Sequence, residues 1–259
     1  MKSGLIDVII VLYNKKISEI KSINNLLICE DISQIIICDN STLKTDVNKK
    51  NYCMNKIKIL DMHGNQGLSK AYNAAIKFVQ AEYVLILDDD TKVEKKAFSI
   101  MTSYLKKKYD VYLPIVKSKH IIMSPCSKGK YRFKAFKSVE AISGKISAIN
   151  SGMIINSKIF KNIQYNENLF LDMIDHAFMD AVRENNYSIC IMKDVIISQN
   201  YSRETDNLET AHARFEISKK DNREYYKESI LDKIYCEIEL FYRKIKFMIH
   251  YKTLTILGW

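Results

Sequence analysis

Three consecutive aspartates, Asp88-Asp89-Asp90, follow directly on the apolar run Tyr83 to Leu87. Carboxylates at i and i+2 on a loop can share one hard cation, with water and phosphate oxygens completing its shell. Such an ion neutralises charge on a departing diphosphate. Aspartate is also favoured at a helix N-cap and in the first turn, so the triplet can instead cap a helix beginning near Val93. Asp172 and Asp175 form a second acidic pair, spaced to share one face at a helix start. One of them can act as general base toward an acceptor hydroxyl, or the pair can cap that helix. Asp39, in the turn Asp39-Asn40-Ser41, offers an acceptor-only group to a pyrimidine ring N–H, or an ordinary Asx turn. Asn65 to Ala75 opens a helix with glycine and small residues and sets Lys70 and Asn73 one turn apart. This is either a diphosphate cradle or a capped helix. It carries neither GxGxxG nor GxxxxGK[ST], which excludes a dinucleotide fingerprint and a P-loop.

Positioning such groups together requires strands that end at a common edge. Leu5 to Leu12 is apolar except for Asp7, the pattern of a strand buried on both faces, and Ile17 to Ile28 has the spacing of one helix face. Ile35 to Cys38 and Ile57 to Leu60 repeat the strand pattern. Leu68 to Val79 repeats the helical one, and Tyr83 to Leu87 gives a fourth strand. This β-α-β order predicts an α/β fold with a parallel sheet, in which ligands bind beyond the carboxyl ends of the strands. Tyr13-Asn14, Asp39, His63 to Gly67 and Asp88 to Asp90 all fall there. After Val111 the runs shorten (Val111 to Val116, Ile121 to Met123, Ile146 to Ile149, Met153 to Ile155), as expected of irregular strands shaping an acceptor site. Met173 to Asn185 reads as helix, Ser188 to Met192 as extended, and Leu208 onward as helix.

The ordered series VIIVLYNK (Val8 to Lys15), IIICDNST (Ile35 to Thr42), NQGLSKAYNAAI (Asn65 to Ile76), LILDDDT (Leu85 to Thr91), SGMIINSKIF (Ser151 to Phe160) and LFLDMIDHAF (Leu169 to Phe178) resembles the inverting family 2 glycosyltransferases. It is most similar to their rhamnosyltransferase and galactofuranosyltransferase branch, over roughly residues 5 to 200. The resemblance implies a GT-A fold, with a Rossmann-like, mostly parallel central sheet and a C-terminal helical tail. It also implies transfer of a sugar, with inversion, from a dTDP- or UDP-linked donor to a saccharide or lipid-linked acceptor of a cell-surface polysaccharide.

By the same resemblance Asp39 contacts the pyrimidine base and Tyr13 lines its pocket. Asn65, Gly67 and Lys70 lie near the diphosphate or ribose, and Asp88 and Asp90 form the DxD pair for Mg²⁺ or Mn²⁺. Ser151 and Gly152 sit beside the transferred sugar, Asp175 is the catalytic base and Asp172 a supporting carboxylate. Relatives often carry a metal-binding His just after the strand ending here near Ile197, whereas this chain reads Ser198-Gln199-Asn200; His212 comes later. His176 stands beside the expected base, in a structural or a catalytic role. The expected division is a catalytic domain over 1–204, with a nucleotide-sugar half (1–110) and an acceptor half (111–204), followed by a helical segment over 205–259. Within that segment, Ile230 to Trp259 is the most separable part.

The chain has 259 residues, 47% of them hydrophobic, enough to bury a large core as one catalytic unit. A net charge of +10 points to an anionic partner such as a nucleotide, a phospholipid surface or a nucleic acid. No nucleic-acid recognition motif accompanies it, so nucleic acid is not an expected partner. A non-enzymatic nucleic-acid or membrane-binding protein is the alternative outside enzymology. A sugar-1-phosphate nucleotidyltransferase is the alternative within it, although Leu12-Tyr13-Asn14-Lys15 stands where those enzymes carry a glycine-rich basic loop. Six scattered cysteines without a CxxC pair, and no run of about 20 apolar residues, suggest a cytoplasmic protein with reduced thiols. The aromatic and basic stretch Phe241 to Lys252 fits a peripheral contact with the inner face of the plasma membrane. It fits equally a helix packed on the catalytic domain, or on a second subunit of a homodimer.

Overall fold

The N-terminal apolar run becomes β1 (Ile6–Leu12), with every residue buried. Even Asp7 lies inside, where its Oδ2 accepts hydrogen bonds from the Gln80 and Ala81 amides at 2.7 and 3.0 Å and from Gln34 at 2.9 Å. A buried carboxylate is tolerated only when bonded in this way. The computed structural model describes residues 4–43, 55–199, 207–253 and 256. The expected helix over Ile17 to Ile28 is shorter than its apolar spacing suggests: a single 3-10 turn at Ile17–Glu19 precedes α1 (Ile23–Leu27). Its face is nonetheless buried through Ile17, Ile20, Ile23 and Leu26.

The chain continues through β2 (Ile32–Asp39), β3 (Ile57–Asp61), α2 (Leu68–Ile76), β4 (Tyr83–Asp88) and α3 (Lys95–Leu105). Next come β5 (Val111–Ser118), β6 (Ile121–Ser124), β7 (Cys126–Lys128), β8 (Phe133–Ala135), β9 (Ile146–Ser147) and β10 (Ile154–Asn156). Then follow α4 (Ile174–Glu184), β11 (Ile189–Ser198), α5 (Leu208–Tyr225) and α6 (Ile230–Tyr251). The main sheet runs β11-β5-β10-β4-β1-β2-β3, with β6 paired to β5. Its pairings are parallel except where β10 runs against β4 and β5 and β6 against β5. Strands β8, β7 and β9 form a small second sheet, in a stretch that the sequence presents mainly as a basic cluster.

The α2 and α4 side of the sheet is packed by Tyr72, Ala75, Phe178 and Met179, and the opposite side by Leu26, Phe98 and Met101. Phe178 is 2% exposed; burying such a ring is worth about 1.5–3 kcal/mol. Register decides what the sheet presents at its edge. Leu12 lies level with Asp39, Asp39 with Asp61, and Val11 with Asp88. The carboxyl ends of four parallel strands therefore meet in one row, the ligand-binding edge of an open α/β sheet.

Candidate active site

Asp88 is the last residue of β4 and lies half-buried at that row. Helix α3 starts only at Lys95, with Glu94 as its N-cap, so the three aspartates do not cap it. Each of them has a different surrounding. Lys15 reaches Asp89 at 2.7 Å. Asp88 instead accepts hydrogen bonds from neutral groups, Gln199 Nε2 at 3.0 Å and the Ser151 hydroxyl. Burial pushes the Asp88 carboxyl above the usual range, Asp90 and Asp89 push it further, and those two hydrogen bonds oppose the rise. A cation between Asp88 and Asp90 would relieve this penalty. Among the described residues no three His, Cys, Asp or Glu side chains gather as a complete protein metal site. Two carboxylates are nonetheless what Mg²⁺ needs when waters and phosphate oxygens fill its other positions.

Gln199 occupies the place where the resemblance leads one to expect a histidine, and it turns toward Asp88 as a hydrogen-bond donor. Asn200 lies outside the described residues. His212 sits on α5, 3.9 Å from Glu216. Ser151 is buried and shares a 2.8 Å hydrogen bond with Thr91, bracing the loop after β4. Gly152 has φ of 79°, and a Cβ there would meet Ile197 at 2.3 Å and Pro114 at 2.9 Å. Its glycine is therefore needed by packing beneath the site.

The opposite wall comes from α4. Its N-cap is Met173, at φ 63° and without a side-chain cap bond, so neither Asp172 nor Asp175 is serving as the cap. Asp175 stands in the first turn. Its carboxyl is raised to about 7, first by burial and then by the charges of Asp88 and Asp172, against the backbone amide of Asn150. Asn150 is itself buried; its Oδ1 accepts from Tyr165 at 3.1 Å, and its Nδ2 has no partner. Tyr165 stacks on Phe178 with ring centroids 4.6 Å apart, and Tyr72 lies tilted against Tyr165 at 4.9 Å. His176 faces away: its Nδ1 lies 2.8 Å from Ser147 Oγ and its ring stacks on Phe133 at 3.8 Å. Burial, then Lys128, holds its pKa down to about 4. It is a neutral wedge between β8, β9 and α4.

At the other end of the row, Asp39 Oδ1 accepts the Ser41 amide at 3.2 Å, the Asx turn foreseen for it, which leaves its second oxygen to other partners. Asn14, in the left-handed region at φ 51°, receives the Thr42 and Leu43 amides on its Oδ1 at 3.0 and 3.1 Å and donates its own amide to Ser41 at 2.8 Å. It fastens the loop after β1 to the loop after β2, with Tyr13 exposed beside it. Asn40 is buried and bridges Asn65 Oδ1 at 2.9 Å and the Gln66 amide at 2.8 Å. Gly67, at φ 87°, begins α2 where a Cβ would meet the Phe170 ring at 2.7 Å. Lys70 is exposed on the first turn of α2. Asn73 points inward instead, exchanging hydrogen bonds with the Tyr165 backbone at 2.9 and 3.0 Å.

One buried acid was not legible as part of the site. Asp221 on α5 accepts the amides of Phe170, Leu171 and Asp172 at 2.8, 2.8 and 2.7 Å. It thereby fixes the loop that leads to Asp175. Beside that loop, α5 and α6 enclose a cavity of ≈ 330 Å³ whose lining includes Asp172, Arg214, Phe215, Arg243, Lys246 and Tyr251. The sequence signal for Asp221 is poor, because it stands in a lysine-rich helical stretch that reads as solvated surface.

A mostly parallel sheet with one reversed central strand, and acidic groups gathered at its carboxyl edge, is the architecture of GT-A glycosyltransferases. The chain belongs to glycosyl transferase family 2, whose description matches residues 7–155. Among solved structures it is similar to residues 1–349 of S. aureus TarS, with a TM-score of 0.56 at 18% identity over 86% of this chain and 72% of that one. The same TarS portion in complex with UDP-GlcNAc matches with a TM-score of 0.56 at 17% identity, over 89% and 69%. The chain spans 44% of the longer TarS structure. GalNAc-T7 with UDP, GalNAc and Mn²⁺ matches with a TM-score of 0.57 at 10% identity, over 77% of this chain and 44% of that one. At such identities the likeness establishes the fold. No curated protein sequence matches the chain significantly.

Proposed function

We propose that this glycosyltransferase moves a sugar from a UDP- or dTDP-linked donor to an acceptor hydroxyl, inverting the anomeric configuration in one displacement. The observation carrying this reading is the opposition of two acidic groups from different elements: Asp175 on α4 feels the charge of Asp88 on β4 strongly enough to help raise its carboxyl to about 7. Burial, the first cause of that rise, persists when a cation offsets the Asp88 charge, and a carboxylate made more basic by burial suits a general base. Asp175 takes the proton of the acceptor hydroxyl, the acceptor oxygen bonds to the anomeric carbon, and the bond from that carbon to the diphosphate oxygen breaks. Asp88 and Asp90 would hold a divalent ion, Mg²⁺ or Mn²⁺, which when bound offsets charge on the departing diphosphate. Asp39 and Tyr13 receive the base, Asn65, Gly67 and Lys70 border the diphosphate, and Ser151 and Gly152 shape the floor under the sugar. The acceptor, a saccharide or a lipid-linked saccharide, enters past Asp172 and the cavity between α5 and α6. Rhamnose and galactofuranose are the donor sugars to try first, given the motif series, alongside UDP-GlcNAc and UDP-GalNAc.

The test is a donor-hydrolysis and transfer screen over UDP-, dTDP- and GDP-sugars with Mg²⁺ or Mn²⁺. With the active donor in hand, Asp175→Asn is expected to lower transfer by about 10²–10⁴-fold and to leave donor affinity nearly unchanged in calorimetry. Asp90→Ala is expected to weaken donor binding only when the metal is present. Full turnover by Asp175→Asn overturns the base assignment, and unaltered metal-dependent binding by Asp90→Ala overturns the metal pair.

A further inference from the structure

The positive charge of the chain is unevenly placed. Of its net +10, +7 falls between Val111 and Lys145, where eight lysines and arginines stand against Glu140 alone. Lys128 is drawn inside against Asp180 of α4, but Lys130, Arg132, Lys134, Lys137 and Lys145 are exposed. Among the described residues no carboxylate pairs with Lys134, Lys137 or Lys145. Glu140 has its carboxyl held below the usual range, first by hydrogen bonds from its own amide and from Ser138, then by the charges of Lys193 on β11 and Lys117 on β5. Those two lysines therefore border the same surface. Cations gathered with so little counter-charge raise the local potential and attract a polyanion.

The surface adjoins the wall of the site that carries the base. Phe133 stacks on His176 and Lys128 meets Asp180, so β7 and β8 lean on the helix that holds Asp175 in its first turn. Lys117 lies level with Ser198, the residue before the Gln199 that bonds Asp88. Asp39, at the end of β2, stands beyond β4 toward the other end of the sheet, so the donor's base is remote from these cations. A single-stranded nucleic acid would need rings on which to stack. Here Tyr131 is stacked on Tyr235, Phe133 on His176, and Phe136 is packed on the core. A membrane surface would draw in apolar side chains as well as cations. Among the described residues of this stretch, Ile121 alone of the large apolar side chains is exposed. A polyanion with a saturated chain is the partner that fits. Resting on the transfer reaction proposed above, we infer that this surface holds an acidic acceptor, a glycan bearing phosphate or carboxylate groups, with its reactive hydroxyl at Asp175.

The test is binding of the full chain to fluorescein-labelled polygalacturonate and polyphosphate, without donor, beside labelled dextran as the neutral counterpart. At least one polyanion is expected to bind and dextran is not; the preference between the two names the acidic group. Affinity should fall about tenfold between roughly 50 and 200 mM salt. The triple variant Lys134→Glu, Lys137→Glu, Lys145→Glu should bind the preferred polymer about tenfold more weakly, with unchanged circular dichroism and donor hydrolysis, since all three side chains are exposed. The corresponding triple change to Arg should bind as the wild type does. Failure of both polyanions to bind at the lower salt overturns the inference. So does undiminished binding by the Glu variant, or dextran binding of equal strength. An oligoadenylate bound more tightly than either polymer would give the surface to nucleic acid. Flotation with phosphatidylglycerol vesicles, lost in the Glu variant while neither polymer binds, would give it to a membrane. A blank donor screen beside intact polymer binding would count against the transfer reaction and not against the surface.

Discussion

At the scale of single residues, the site separates side chains by what surrounds them. Asp89 has Lys15, His176 has Ser147 and Phe133, and both are thereby occupied. Asp88 and Asp175 both have their carboxyls raised, and Asp175 feels the charge of Asp88. For Asp175 this carries a consequence in the unliganded protein. Its carboxyl sits at about 7 when folded, against the ordinary 3.8, so between those values the native state binds more protons than the unfolded chain. Stability contributed by this group therefore falls as pH rises across that window, and the penalty is complete above pH 7. Asp175→Asn cannot ionise and escapes it. In the presence of EDTA the variant is expected to melt at nearly the wild-type temperature near pH 4. By pH 8 it should be more stable by on the order of 1–2 kcal/mol, a figure discounted for the partial exposure of the group. A difference in melting temperature that does not change with pH would contradict the raised carboxyl. The residue types at this site were legible through their place in the ordered motif series, since the aspartate triplet alone fits a helix cap as well as an ion site. Asn150 was not, since a lone Asn before Ser-Gly looks like any turn until its backbone amide is found on Asp175.

At the scale of elements, continuous apolar runs identified β1, β2 and β4, because a strand covered on both faces carries few polar positions, and one such as Asp7 must be hydrogen-bonded. The helix expected over Ile17 to Ile28 was overestimated: its apolar spacing describes a buried face, while the 3-10 turn and α1 that provide it are separate pieces. Strands β7 and β8 were missed because Lys128 and the surrounding lysines mask them. Lys128 is in fact drawn inside, against Asp180 and Tyr225. Helix α5 carries the most function that the sequence hides, through Asp221. Replacing it by Ala leaves three backbone amides without their acceptor, at a cost of about 3 kcal/mol. The expected outcome for Asp221→Ala is a lower melting temperature, together with faster hydrogen exchange at Phe170, Leu171 and Asp172 than at the strands of the sheet. Exchange that accelerates equally everywhere would mean that Asp221 supports the fold in general and not this loop.

For the whole molecule, the question is where the catalytic unit stops. Composition and motif order place a boundary near residue 204, and the family description itself ends at residue 155. The contacts of α5 argue for a later one. Besides the Asp221 clamp, Tyr225 bonds Asp180 of α4, and Tyr226 donates to the Tyr131 carbonyl at 3.1 Å. These tie α5 to three separate stretches of the acceptor half. Helix α6 is attached less broadly, through its packing on α5, the Arg223–Glu237 ion pair at 2.7 Å and the stack of Tyr235 on Tyr131 at 4.5 Å. A chain ending after residue 204 is therefore expected to lose transfer activity and to melt well below the full chain, since the loop before Asp175 has lost its clamp. A chain ending after residue 228 keeps α5 and should retain donor hydrolysis within about tenfold, an activation difference of about 1.4 kcal/mol. Melting curves and donor hydrolysis of the two truncations separate the roles: equal activity in both would free the active site from α5. Loss of hydrolysis in the longer one would instead tie catalysis to α6 itself, through the Arg243 and Lys246 that it contributes to the cavity beside Asp172.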